Sequence, residues 1–242
     1  MAQVQTVFER YETKYLLSPS QYAALREKLR GRLREDAYGQ YTICNLYYDT
    51  PDYRLIRASL EKPVYKEKLR LRSYGVPTAD GTAFLEVKKK FRSVVYKRRA
   101  AMTLRQAQAY LQSGVRPQAA DSQILDEIDW FLGFYRPEPK VFIGYDRAAL
   151  AGIADSGLRM TFDTNLRWRG TMLDLGRGDW GAPVLTDGSI LMEVKLPAAM
   201  PLWLARILGG LAAYPTSFSK YGACYQRFLC KNQGGLGGVH CA

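Results

Sequence analysis

The chain has 242 residues, of which 47% are hydrophobic, so it can bury the core of one large domain or two small ones. Lysine and arginine number 35 against 23 acidic residues, and the net charge of +12 favours polyanionic partners: nucleic acid, nucleotides, phosphate chains or an anionic membrane. No apolar run approaches the roughly 18 residues of a membrane helix, and the first residues lack the features of a signal peptide, so we expect neither.

The first part of the chain predicts two strands joined by a helix. Residues 6–17 alternate as a strand does. One face of this strand carries Arg10, Glu12 and Lys14. Ser18 and Pro19 predict a helix start, because serine caps helices and proline suits the first helical position. Residues 40–48 predict a second strand, whose aromatic end we interpret as part of the core.

The most basic segment runs from Lys62 to Arg99 and carries twelve lysine or arginine residues against three acids. The strand period of two gathers these charges on one face of consecutive strands. The residues that share that phase are Lys66, Lys68, Arg70 and Arg72, then Glu86 and Lys88, then Lys97 and Arg99. Like charges on adjacent strands repel. A solvated sheet face is one interpretation, and a lining for a multiply charged anion such as phosphate is the other.

The second half predicts alternating helices and strands. Helices are expected over 103–110, 121–135 and 202–211, and strands over 140–150, 158–168 and 190–196. Glu193 and Lys195 fall on the same face of the last of these strands. No composition break marks a linker, so we expect a single domain over residues 1–230, followed by a disordered tail over 231–242. A barrel with a charged lumen and an open sheet covered by helices both fit this pattern.

Seven short motifs, in this order and spacing, resemble one family. The motifs are Arg10-x-Glu12-x-Lys14, Lys68-x-Arg70-x-Arg72, Glu86-x-Lys88, Tyr145-x-Arg147, Asp163-Thr164-x-Leu166, Glu193-Val194-Lys195 and Ser219-Lys220-Tyr221. The chain is similar, from about Thr6 to Leu229, to the VTC (vacuolar transporter chaperone) domain. That domain is the polyphosphate polymerase branch of the triphosphate tunnel metalloenzyme, or CYTH-like, superfamily.

The resemblance implies an α+β fold: an eight-stranded antiparallel β-barrel forming a tunnel, with helices packed outside. It implies a phosphate-binding lining made of Lys14, Arg70, Arg72, Lys88, Lys97, Arg147, Ser219 and Lys220, with Arg159 and Lys195 as additions. The catalytic subset is expected to be Lys14, Arg70, Arg72, Lys88 and Arg147. A Mn²⁺ or Mg²⁺ ion is expected on Glu193, with Glu12 and Glu86 as further candidates. An ion pair with neighbouring cations is the alternative for Glu193.

The activity that the resemblance implies is metal-dependent transfer of the ATP γ-phosphate to a growing polyphosphate chain. Phosphoryl transfer needs no side-chain nucleophile, and we find no serine, cysteine or histidine constellation that supplies one. Hydrolytic relatives begin with Glu-x-Glu-x-Lys, whereas this chain has Arg10 first, which favours polymerisation. Two alternatives stay open: hydrolysis of inorganic or nucleoside triphosphates, and a non-catalytic polyphosphate or nucleotide-binding module. Nucleic-acid binding ranks below them, because the aromatic residues near the cations mostly fall on the opposite face.

The expected partners are therefore ATP, triphosphate or polyphosphate, with no specific nucleic acid. A membrane-protein partner stays open, since the family implies one in some systems. We expect a cytoplasmic location, with a peripheral position at the inner face of a membrane as the alternative. The cysteines at positions 44, 224, 230 and 241 show no CxxC spacing and are expected to be thiols rather than zinc ligands.

Overall fold

The computed structural model describes residues 11–92, 94–117 and 122–230, apart from the side chains of residues 37 and 38. Arg10, the first residues of the first predicted strand and the predicted tail therefore lie outside the described residues. None of the helices in the described portion is long and apolar enough to cross a membrane. Cys44 and Cys224 are buried free thiols, whereas Cys230 is disulfide-bonded, so the expectation of a thiol at that position was wrong.

Ten strands and six α-helices form within the described ranges. The strands are β1 (Tyr11–Leu17), β2 (Leu33–Asp49), β3 (Tyr65–Tyr74), β4 (Thr82–Phe91), β5 (Val94–Thr103), β6 (Glu138–Gly152), β7 (Arg159–Arg169), β8 (Ala182–Pro183), β9 (Ile190–Leu196) and β10 (Pro215–Thr216). The α-helices are α1 (Pro19–Leu29), α2 (Arg54–Leu60), α3 (Leu104–Ser113), α4 (Ser122–Tyr135), α5 (Leu202–Gly210) and α6 (Lys220–Cys224). A 3₁₀ helix (Leu175–Arg177) and a π-helical segment (Tyr225–Leu229) complete the elements.

The predicted start of α1 is confirmed in detail. The backbone N–H of Gln21 donates to Ser18 Oγ at 3.1 Å, and the backbone N–H of Ser18 donates to Gln21 Oε1 at 2.9 Å. This reciprocal capping box satisfies donors that the first helical turn leaves without partners. Thr103 and Gln106 repeat it at the start of α3. Local sequence therefore determines where both helices begin.

Backbone contacts divide the chain into two compact units, each built from three separate stretches. Unit one comprises Met1–Tyr41, Tyr145–Leu166 and Leu185–Phe218. Unit two comprises Thr42–Gly144, Arg167–Val184 and Ser219–Ala242. The strands β2, β6 and β7 contribute residues to both units. A single domain over residues 1–230 stays a prediction.

In unit one the strand order is β10-β1-β9-β7-β6, and β1 pairs antiparallel with both β10 and β9. The apolar faces of β1, β7 and β9 pack against α1 and α5. This core buries Tyr15, Leu25, Phe162, Met192 and Leu204, among others. Because successive strand residues point to opposite faces, burying these side chains places their charged neighbours on the other face.

In unit two the strand order continues as β6-β2-β3-β4-β5, while β8 pairs with the end of β7. The apolar faces of β3, β4 and β5 pack against α3 and α4. Leu69, Leu85, Tyr110, Ile128 and Phe131 belong to this core and are almost completely buried. The alternation again leaves most basic side chains of these strands on the face opposite the helices. Lys89 and Arg98 are exceptions, because they lie 3.7 and 3.6 Å from Glu127 on α4.

The α+β architecture, with antiparallel strands and helices packed on their apolar faces, is confirmed. The expectation of eight strands closed into a barrel was wrong in number and closure. Among the described residues, nine strands pair in an order that ends at β10 and β5, and a tenth, β8, pairs with β7 outside that order. Alternation specifies which face a side chain occupies, but neither which strands are neighbours nor whether the sheet closes. The extra strands, β8 and β10, have two residues each, too few to show any alternation.

Candidate functional site

Unit one carries two rows of polar side chains across neighbouring strands, on the face opposite its core. The first row is Lys14 on β1, Glu193 on β9 and Thr161 on β7. The second row is Glu12 on β1, Lys195 on β9 and Arg159 on β7. Side chains directly opposite each other in an antiparallel pair interact most strongly. The register therefore alternates acid and base between β1 and β9.

The Glu193 carboxylate is the electrostatic centre of these rows. Lys195 Nζ lies 4.0 Å from Glu193 Oε1 and 3.6 Å from Glu12 Oε1. Burial favours the neutral form of Glu193, but the charge of Lys195 and contact with the Glu12 carboxyl outweigh it. Lys14 and Arg147 act in the same direction, and the pKa of Glu193 is lowered to about 2. Glu193 is therefore a carboxylate at neutral pH.

Two cations of unit one are held in fixed positions. Arg147 on β6 donates from Nε and Nη2 to the two Asp163 oxygens, at 2.6 and 2.8 Å. Asp163 is almost completely buried, so this bidentate pair is well ordered. Lys14 Nζ donates to the Phe218 carbonyl oxygen at 2.8 Å. Arg159 lies nearer to solvent, with 52% of its side chain exposed and Asp36 3.8 Å away.

Unit two carries a second charged face, on β2 to β5. One row of directly opposite residues is Tyr47, Arg70, Glu86 and Arg99. The next row consists of Lys68, Lys88 and Lys97. Three lysines side by side on adjacent strands repel one another. This is the arrangement that the strand period predicted from the sequence.

Glu86 is enclosed by cations within unit two. Its carboxylate lies 2.6 Å from Arg70 Nη2, 2.9 Å from Lys97 Nζ and 3.8 Å from Arg72 Nε. Only 1% of its side chain is exposed. Burial raises the pKa of Glu86, but the charges of Arg70, Arg72 and Lys97 outweigh this and lower it to about 2. Glu86 is therefore the internal counter-ion of this basic face.

Sequence reasoning missed two side chains that position the arginines. Asn45 Oδ1 accepts from Arg72 Nε at 2.9 Å, and Asn45 Nδ2 donates to the Ile143 carbonyl oxygen at 3.0 Å. The Tyr47 hydroxyl accepts from Arg70 Nη1 at 3.3 Å. Both residues lie in the strand end that we interpreted only as core. The available signal was that Asn45 and Tyr47 are two positions apart on β2, so their side chains lie on the same face of the strand.

The motif Ser219-Lys220-Tyr221 begins α6 and is fixed by two anchors. The Tyr221 hydroxyl donates to Asp49 Oδ2 at 2.9 Å, in a buried contact. Ser219 Oγ accepts from Lys68 Nζ at 3.1 Å and from the backbone N–H of Gly222 at 3.2 Å. Burial raises the pKa of Asp49. The motif therefore lies beside the lysine row of unit two.

The predicted site residues thus form two groups, one in each unit. The group of unit one contains Glu12, Lys14, Arg147, Arg159, Glu193 and Lys195. The group of unit two contains Arg70, Arg72, Glu86, Lys88, Lys97, Ser219 and Lys220. Each group combines several cations with a carboxylate that stays ionised, an arrangement suited to binding anions.

Solved structures of other proteins are similar to this chain in fold. No curated protein matches the chain. A solved structure of a provisionally assigned adenylate cyclase from Bacillus halodurans is similar, with a TM-score of 0.54 and 15% identity over 92% of this chain and 97% of that one. HpAC1 from Hippeastrum, provisionally assigned as an adenylyl cyclase and described as having a dominant triphosphatase activity, has a TM-score of 0.52 and 18% identity over 89% and 94%.

At these identities the likeness concerns the fold alone. The family is settled by sequence. The model of the VTC domain matches residues 9–229, nearly the whole chain, and it spans both charged faces described above. The resemblance found in the motifs is therefore confirmed, and the chain belongs to the VTC domain family.

Proposed function

We propose that this protein is a metal-dependent phosphotransferase, which transfers the γ-phosphate of ATP to a growing polyphosphate chain. The observation that supports this most is the row of three lysines, Lys68, Lys88 and Lys97, which lie directly opposite one another in unit two. In unit one, Arg159 lies directly opposite Lys195. Such an arrangement stores repulsion that a multiply charged anion relieves. Membership in the VTC family makes phosphate chains the anion of choice.

In unit two, Arg70, Arg72, Lys88 and Lys97 are proposed to bind phosphate oxygens, joined by Ser219 and Lys220. The guanidinium groups offer paired donors that match phosphate, and the lysines supply point charges. Asn45 and Tyr47 hold the arginines in place before the ligand binds. Groups that are already oriented lose less entropy when they bind a ligand.

In unit one, Lys14, Arg147, Arg159 and Lys195 are proposed to bind phosphate oxygens too. Asp163 fixes the guanidinium of Arg147, and the Phe218 carbonyl fixes the ammonium of Lys14. These anchors orient the cations without neutralising all of them. Preorganised charges of this kind stabilise a transition state in which charge moves between oxygens.

The donor set of unit one fits a hard divalent cation such as Mn²⁺ or Mg²⁺. Glu193 is ionised, contacts the Glu12 carboxyl, and offers oxygen ligands that such ions prefer. Within the described ranges, no group of three or more histidine, cysteine or acidic side chains could hold a metal by itself, so phosphate oxygens or water would have to complete the shell. When bound, the ion would neutralise phosphate charge. Glu86 is the poorer candidate, because three cations already enclose it.

The proposed reaction requires positioning and charge neutralisation more than covalent participation by the protein. The cations hold ATP and the end of the polyphosphate chain together. A terminal oxygen of the chain attacks the γ-phosphorus, the bond between that phosphorus and the β–γ bridging oxygen breaks, and ADP leaves. The arginines of the face that binds the γ-phosphate, Arg70 and Arg72 in unit two or Arg147 in unit one, would stabilise the charge that develops on the transferred group and on the leaving oxygen.

Hydrolysis of triphosphates is the second candidate function. HpAC1, whose fold is similar, is described as having a dominant triphosphatase activity. The same cations would then bind the substrate, while water replaces the polyphosphate end as the attacking group. Both reactions need phosphate binding, so they differ only in acceptor and product.

Product analysis tests the proposal. Purified protein is incubated with ATP and Mn²⁺, and the products are separated by gel electrophoresis and ion chromatography. Long phosphate chains with stoichiometric ADP are expected. Orthophosphate without chains would instead establish hydrolysis, and tripolyphosphate binding without turnover would establish a binding module. Lys28→Ala, which removes an exposed charge from α1, serves as a control and is expected to behave as wild type.

A further inference from the structure

Thr161 lies in the middle of β7, directly opposite Glu193. The residue is 9% exposed. Its hydroxyl oxygen is buried and has no hydrogen-bond partner in the part of the chain that the structure describes. Buried polar side-chain atoms are nearly always paired, and an unpaired one costs free energy. The hydroxyl therefore points to a partner that the polypeptide does not supply.

The orientation of Thr161 follows from its neighbours on β7. Met160 and Phe162 are completely buried in the core of unit one. Because alternate residues of a strand point to opposite faces, Thr161 points onto the charged face together with Arg159 and Asp163. Its row continues through Glu193 to Lys14. The hydroxyl thus lies among the groups to which we assign phosphate binding.

We propose that Thr161 is a further phosphate-binding residue, which donates its Oγ1–H to a phosphate oxygen of bound triphosphate or polyphosphate. This inference rests on the proposed function. Lys14 and Arg147, the cations associated with Glu193, attract anion oxygens to this face. A hydroxyl supplies one donor, and a phosphate oxygen is a strong acceptor for it. Glu193 is already engaged by Lys195 and Glu12.

A purely structural role for Thr161 leads to different expectations. Threonine suits strands for its branched shape alone. In that case valine, which has the same shape, would replace it without consequence for a ligand. If instead the hydroxyl donates to phosphate in the complex, the valine variant loses that hydrogen bond when the ligand binds. In the free protein, the same variant loses an unpaired buried polar group. Stability and affinity then change in opposite directions.

The test compares Thr161→Val, Thr161→Ser and Thr164→Val with wild type. Thr164 is the matched control, because its hydroxyl donates to the Asp146 carbonyl oxygen at 3.3 Å. Tripolyphosphate affinity is measured by calorimetry in chelator and again with Mn²⁺, and stability of the free protein is measured by urea unfolding. Thr161→Val is expected to bind about tenfold more weakly, with an unchanged or higher urea midpoint. Thr164→Val is expected to bind normally with a lower midpoint, and Thr161→Ser to keep most of the affinity.

Three results would overturn the inference: wild-type affinity in Thr161→Val, a loss of stability like that of Thr164→Val, or an affinity loss that appears only with Mn²⁺. The last result would assign the hydroxyl to the metal instead of phosphate. Failure of the wild type itself to bind tripolyphosphate would overturn the proposed function together with this inference. Wild-type binding with an unaffected Thr161→Val variant would overturn this inference alone.

Discussion

Replacing Glu86 with glutamine tests how strongly its negative charge stabilises the basic face of unit two. The carboxylate lies 2.6 Å from Arg70 Nη2, 2.9 Å from Lys97 Nζ and 3.8 Å from Arg72 Nε. Glutamine keeps the shape of the side chain and removes its charge. Three cations then face one another in a buried environment without an anion. Removing one partner of a buried ion pair is strongly destabilising for this reason.

The size of the effect follows from the pKa of Glu86, which falls from 4.5 to about 2 in the folded chain. This difference corresponds to about 3 kcal/mol of folding free energy at pH 7. Because the pKa is lowered, the contribution is complete above the unfolded value and is lost as pH falls through the folded value. At pH 3, between the two values, roughly half of this contribution or less should remain. Solvent screening reduces it little, since the side chain is 1% exposed.

Urea unfolding of wild type and Glu86→Gln at pH 7, 5 and 3 measures both quantities. We expect the variant to be about 3 kcal/mol less stable at pH 7, and the difference to shrink at pH 3. Glu61→Gln, at an exposed carboxylate, is the control and should match wild type at each pH. A variant as stable as wild type at pH 7 would refute the counter-ion role. A difference that does not vary with pH would refute the electrostatic explanation.

Three further substitutions test other contacts. Arg70→Ala should weaken tripolyphosphate binding in calorimetry about tenfold, because it removes a charge-assisted contact; unchanged affinity would contradict its assignment. Glu193→Gln should abolish Mn²⁺-dependent turnover, whereas its affinity for tripolyphosphate in chelator should stay the same or increase. A normal Mn²⁺ dependence of turnover would exclude Glu193 as a metal ligand. Tyr221→Phe should lower the free energy of unfolding, measured by urea unfolding, by about 1 kcal/mol, because Asp49 loses a buried hydrogen bond. A stability equal to that of wild type would show that this hydrogen bond contributes nothing.

The period of the strands predicted much of the charged faces. Lys68 and Lys88 were expected on the same face of consecutive strands, and they lie directly opposite each other. Glu193 and Lys195 were expected to point together, and they lie 4.0 Å apart. These predictions succeeded because, when one face of a strand is buried, the period of two fixes which side chains lie on the opposite face. The predicted helix start at Ser18 was confirmed because capping uses residues three apart in sequence.

The contacts that position the arginines could not be predicted in the same way. Asn45 connects Arg72 to the carbonyl oxygen of Ile143, which is 98 positions away in sequence. Such a partner depends on which strands become neighbours, and alternation carries no information on that. The unpaired hydroxyl of Thr161 is invisible for a related reason. Only a three-dimensional structure shows whether a buried donor has an acceptor within hydrogen-bond distance.

The two buried carboxylates show how similar protonation can accompany different roles. The pKa of both Glu86 and Glu193 is lowered to about 2, so the pH dependence of folding stability alone does not distinguish their roles. Their surroundings do. Glu86 is enclosed by three cations with 1% of its side chain exposed, whereas Glu193 is 14% exposed and contacts the carboxyl of Glu12.

A cation cannot approach Glu86 without displacing arginine or lysine, but it can approach a pair of carboxylates that lysine only partly neutralises. We therefore expect Mn²⁺ to tighten tripolyphosphate binding in wild type and in folded Glu86→Gln, but not in Glu193→Gln. Calorimetric titration of the three proteins with and without Mn²⁺ separates the cases. Equal Mn²⁺ dependence in both variants would mean that neither carboxylate holds the ion, and the metal would then be bound by the phosphates alone.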